Sequence, residues 1–218
     1  MEIKLKDFIE SGKIVALVNF SGSFHKLKNN SKISYVLESG YRQNIKVQKY
    51  FEKIFPSFSK EKFYDACKMT LLDPTVLECN LSRLSMTEAK KLRLVEALLW
   101  GSDTIVLVHF ERGFYQKSRQ YYQKLFQKLT KYGKCVVVVT NDISFLFGFV
   151  SSFYFFSSQH LELLHDFYLD KIYQYVDMPP IVSYVKYLEK QGLMIDHYIE
   201  PKELLKAIYR SVNSGDRL

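Results

Sequence analysis

Three short apolar runs constrain the architecture of this 218-residue chain more tightly than anything else in it. They are "KIVALVNF" (13–20), "TIVLVHF" (104–110) and "CVVVVTND" (135–142), all rich in β-branched residues and without polar alternation. A strand with one wet face alternates, whereas a strand covered on both faces does not, so these runs predict the interior of a mostly parallel sheet. "KISYVLES" (32–39) and "SSFYFFS" (151–157) add two weaker strands. Between the strong runs, "SMTEAKKLRLVEALLWG" (85–101) repeats apolar residues at helical spacing behind a Ser85–Glu88 capping box. "YQKSRQYYQKLFQKLTKYG" (115–133) is a second helix, with Gly133 as its C-cap. Strand and helix in alternation mean an α/β sheet flanked by helices and closed by right-handed crossovers.

From about residue 160 the pattern turns helical. "HLELLHDFYLDKIYQYV" (160–176) is expected as a helix, broken by "DMPP", and "IVSYVKYLEKQG" and "EPKELLKAIYRSV" as two more. The expected division is an α/β core over 1–158 and a C-terminal helical segment over 159–218. His160 and His165 stand five apart, off one helical face, and predict no metal site.

The formal charge of +8 and pI near 9.2 admit nucleic acid, an anionic membrane or an acidic partner. No run of five or six basic residues concentrates that charge, and the densest stretch, "AKKLR" (89–93), reads as a solvated helix face. Aromatics at 16% fit either large buried or partner-facing surfaces or an AT-rich coding sequence. Cys67, Cys79 and Cys135 are far apart with no C-x-x-C pair, which predicts a reducing compartment without disulfides or structural zinc. "MEIKLKDFIE" has no apolar signal-type core, and no apolar run approaches the ~20 residues that span a bilayer. The expected location is the cytoplasm, including a peripheral place at the inner face of the plasma membrane.

Several stretches together resemble one family. "NLSRLSMTEAKKLRLVEALLWGSDTIVLVHF" is similar to the run from the signature of an ABC-type ATPase through its helix into the Walker B strand. "YGKCVVVVTNDISFL" resembles the strand that carries the family's switch histidine, and "SGKIVALVNFSGS" the strand entering its phosphate loop. "MPPIVSYVKYLEKQGLMIDHYIEPKELLKAI" looks like the C-terminal segment of the ATPase subunits of energy-coupling factor transporters. The resemblance covers most of the chain and implies a truncated P-loop NTPase-type fold with a C-terminal helical dimerisation-type extension.

Against that pattern the motifs are altered one after another. The phosphate loop needs G-x-x-x-x-G-K-[ST], so that backbone N–H groups and a lysine hold the phosphates. Here it reads "NFSGSFHK": Asn19 replaces the first glycine, Gly22 and Ser23 remain, and His25 stands in place of the lysine. Only eight residues separate His25 from "SYVLES", too few for the family's phosphate-loop helix. "SYVLESGYRQNIKV" lies at the Q-loop that touches the membrane subunit, with Glu38 at the glutamine position and Gln43 retained. The signature is reduced to Leu84, Ser85, Met86, Thr87 and Glu88, of which Ser85 alone keeps a hydroxyl suited to a γ-phosphate. Val108 and His109 take the Walker B acid positions, Tyr115 that of the D-loop aspartate, and Asn141 that of the switch histidine.

The resemblance therefore implies a pseudo-ATPase with no catalytic residues, metal site or cofactor of its own. It would be a scaffold or regulator paired with an intact ABC-type ATPase subunit or with itself, on a multi-spanning membrane subunit. Two other functions stand beside it. One is an ATPase half that lends only Ser85 to a partner's site. The other is a basic protein for nucleic acid or acidic partners, though nothing beyond charge points to nucleic acid.

Overall fold

The computed structural model describes residues 5–20, 31–157, 160–193 and 195–213. They include β1 (Ile14–Val18), β2 (Ile33–Val36), α1 (Val47–Ile54), α2 (Lys60–Thr70), α3 (Met86–Trp100), β3 (Thr104–Val108), α4 (Gln116–Lys131), β4 (Cys135–Thr140), β5 (Phe153–Phe156), β6 (Leu161–Leu164), α5 (Pro180–Lys190) and α6 (Pro201–Asn213). The strands form one sheet in the order β2-β3-β4-β1-β5-β6. β2–β3, β3–β4 and β1–β5 pair in parallel, and β5–β6 is antiparallel. The three non-alternating runs, β3, β4 and β1, lie side by side inside the sheet, and β4 is buried along all six of its residues, as two-sided cover requires.

The chain divides into two compact units, Met1–Val15 with Ser21–Val139 and Ala16–Phe20 with Thr140–Leu218. In the first unit, α1, α2 and α3 enclose a separate apolar cluster around Phe51, Phe63, Leu81, Leu92 and Val95, all fully buried. The Phe51 ring lies 5.1–5.9 Å from those of Tyr50, Phe55, Phe58 and Phe63. No element was expected between residues 40 and 84. α1 is only eight residues long and Lys46 gives it no side-chain cap, so its helical signal is weak and tertiary packing makes it. α2 carries a better local signal, since the Ser59 hydroxyl accepts from the Lys62 N–H.

The helix expected over 160–176 is not there. Leu161–Leu164 is β6, and Asp170–Gln174 is a single 3₁₀ turn. Pairing decides it: β6 is in antiparallel register with β5, Phe153 opposite Leu164 and Phe156 opposite Leu161. The Asp166 carboxylate then accepts from the Tyr168 N–H and turns the chain before a helix can nucleate. α5 and α6 form where the sequence places them. Among the described residues no helix is long and apolar enough to cross a membrane.

Candidate functional site

The tip of β3 carries the geometry that decides what this region can do. Val108 ends the strand opposite Val139 of β4. His109 then turns the chain with a φ of 47°, in the left-handed region that histidine enters more readily than most side chains. Both of its peptide groups are held there: its N–H donates to the Val139 carbonyl at 2.8 Å, and its carbonyl accepts from Lys90 Nζ at 2.7 Å. The imidazole is half-buried, and Nδ1 has no hydrogen-bond partner among the described residues. Burial, then the charge of Arg112, push the His109 pKa below its ordinary value, with Glu38 opposing.

Lys90 is the hub of this turn. "AKKLR" is not a solvated face: Lys90 is 0% exposed. Its ammonium donates to the carbonyls of His109 and Arg112 at 2.7 and 2.8 Å and lies 3.4 Å from that of Phe110. Burial lowers its pKa, while the carboxylates of Glu38 and the buried Glu111 act in the other direction. Its two basic neighbours are engaged as well. Lys91 Nζ donates to the Leu71 carbonyl at 2.6 Å, and Arg93 donates to the Ser39 carbonyl at 3.2 Å with its guanidinium 4.3 Å from the Tyr41 ring centre. The signal was in the sequence: Lys90 shares a helical face with Leu94 and Ala97, and a charge on a buried face needs partners.

The segment after β2 is tied to the same hub. Glu38 is half-buried and accepts from Arg112 Nη1 at 3.0 Å. Gln43 is exposed. Neither Arg112 nor Lys90 lies in a motif that the sequence alone marks. Because both carboxyl and guanidinium are substantially wet, the pair adds little stability and chiefly fixes the loop's position.

At the head of α3, Ser85 is the N-cap. Its hydroxyl accepts from the Glu88 N–H and donates to the Glu88 carboxylate at 2.7 Å, while the Ser85 N–H donates to that carboxylate at 2.8 Å. Leu84 is half-buried, Met86 is exposed, and the Thr87 methyl lies against Gly113 in the loop after β3. The Ser85 hydroxyl and N–H hold the Glu88 carboxyl below its ordinary range. A lowered folded-state pKa stabilises above the unfolded value and is lost as pH falls through the folded one. Ser85→Ala should therefore cost about 1 kcal/mol at neutral pH, the usual worth of such a cap. That penalty should shrink as pH drops below about 4.5, read from urea midpoints across the acid range.

In the second unit, Asn19 and Asn141 meet. Asn19 has a φ of 57°; its N–H donates to Asn141 Oδ1 at 3.1 Å and its Nδ2 to the Phe156 carbonyl at 2.6 Å. The side chain at the switch position is thus engaged in holding the end of β1. Gly22, Ser23 and His25 lie outside the described residues. Tyr115, where the D-loop aspartate was expected, is exposed.

These groups do not fit a Mg²⁺ shell at the end of β3. Val108 has no ligand atom, His109 is half-buried in a turn bound to an ammonium, and the Glu38 carboxylate is occupied by Arg112. Among the described residues no three His, Cys, Asp or Glu side chains gather to hold a metal ion.

No protein-family model and no curated protein matches the sequence. Solved structures do. The post-hydrolysis dimer of the ATP-binding cassette MJ0796, bound to ADP and Pi, matches with a TM-score of 0.56 at 18% identity over 73% of this chain and 88% of its own. CbiO1 from Clostridium perfringens, part of the ABC transporter complex CbiONQ, matches with a TM-score of 0.56 at 12% identity over 82% and 89%. An inward-facing metal-chelate-type ABC transporter matches at 0.54 and 12% over 72% and 74%. The fold is that of the ABC transporter ATPase cassettes.

Proposed function

We propose that this chain is a catalytically inactive ABC ATPase-like subunit, a scaffold or regulator that pairs with an intact cassette or with a second copy of itself in a transporter-type complex. One observation carries the reading. Where a cassette would present paired carboxylates, this chain has Val108 and His109, with the His109 carbonyl bound by the buried Lys90 ammonium. Hydrolysis of ATP needs an acid to order Mg²⁺ and a second to orient water. Val108 and His109 supply no carboxylate for either role, and the His109 carbonyl is already bound by Lys90. The Asn19–Asn141 contact and the engaged Ser85 cap add to this, since these three residues serve the fold instead.

The transporter setting is supported by the cassette fold and by the CbiO1 likeness, which covers more of this chain than that of MJ0796. In that setting the loop after β2, with Glu38 and Gln43, would contact the membrane subunit, and α5 and α6 the partner cassette. Purified protein incubated with ATP and Mg²⁺ should release no phosphate above background. Mg²⁺-dependent turnover that disappears in a His109→Ala variant would overturn the reading.

A further inference from the structure

Between Glu111 and Asp142 the sequence has no acidic residue and seven lysines and arginines, nearly all of the formal net charge of +8. Most of that segment is α4, whose apolar side (Tyr122, Leu125, Phe126 and Leu129) is buried. Its solvent side holds Lys117, Lys124, Lys128 and Lys131, all exposed. At 100° per residue these four fall within a sector about 60° wide, and at about 1.5 Å per residue they span roughly 21 Å. None of the four has an ion pair among the described residues. Tyr121, whose hydroxyl donates to the Met69 carbonyl, lies just outside one edge of the stripe, and Tyr132, 72% exposed, stands at its end. Exposed Gln120 borders it.

We propose that this α4 stripe binds single-stranded nucleic acid, with the lysines on successive phosphates and Tyr121 and Tyr132 under bases. The chemistry selects that occupant. A stripe one residue wide follows a single extended polyanion, whereas a bilayer presents its charge over a broad front. Adsorption of a helix to a membrane also draws on an apolar face, and that of α4 is already in the core. Exposed aromatics beside a cationic track are the usual means of holding unpaired bases. Lysine, glutamine and tyrosine are the side chains that contact phosphate and sugar without reading sequence. The surface is independent of the altered nucleotide positions and stands whether or not the chain binds ATP.

The test is fluorescence anisotropy of the full chain with a labelled 20-nucleotide dT strand from 50 to 200 mM KCl. Four phosphate contacts give a slope of log K against log salt of about −3 and a loss of roughly 60-fold over that range. Changing Lys117, Lys124, Lys128 and Lys131 together to Gln should bring the slope close to zero, and Tyr132→Ala should weaken binding by about fivefold or more. A control with the same loss of charge at the exposed Lys49, Lys53, Lys60 and Lys62 should leave binding nearly intact. Equal losses in the two quadruple variants, or no binding at 50 mM KCl, would overturn the proposal. So would lysine-dependent binding to vesicles containing phosphatidylserine without binding to the strand.

Discussion

Lys90→Met is expected to destabilise the protein by about 3–5 kcal/mol, because the change leaves buried carbonyls unpaired and the buried Glu111 without its nearby cation. Chemical unfolding of both proteins at neutral pH measures it. A charge at this depth is costly by itself, and it is kept because all of its donor capacity is used: the ammonium sits among the carbonyls of His109, Phe110 and Arg112. Lys90→Arg should not rescue, since a planar guanidinium cannot reproduce a converging three-point contact in a packed site. A loss below about 1 kcal/mol would mean that the turn after β3 is held by something else.

Phe51→Ala should cost about 3–5 kcal/mol, the range for removing a buried aromatic. Phe51 joins α1 to α2 through Phe55, Phe58 and Phe63, so the cavity opens at the centre of that cluster. Because α1 is short and uncapped by a side chain, the loss should also show as faster backbone amide exchange in residues 47–54 than in β3 or β4. Uniform exchange across the unit would contradict the view that α1 exists only through this packing.

The sheet was legible because its strands carry their own signature: Ile105, Val106 and Leu107 have no polar residue among them and are buried on both faces. The head of α3 was legible for the same kind of reason, since Ser85 and Glu88 satisfy each other within four residues. What sequence did not disclose depends on distant partners. α1 needs Phe63; β6 needs β5; Lys90 needs carbonyls some twenty positions along the chain. The positions that the resemblance singles out could be named from sequence, but the contacts they make could not. Asn141 accepting from Asn19, and the ammonium under His109, come only from the fold.

At the end of β3, Lys90 binds the carbonyls of the turn that in the proposed reading stands in place of a nucleotide site. Isothermal titration of the protein with ATP in the presence of Mg²⁺, at concentrations that would detect millimolar affinity, tests that reading most directly. The account predicts no heat beyond dilution, with and without Mg²⁺. Saturable, Mg²⁺-dependent binding at one site per chain would contradict it.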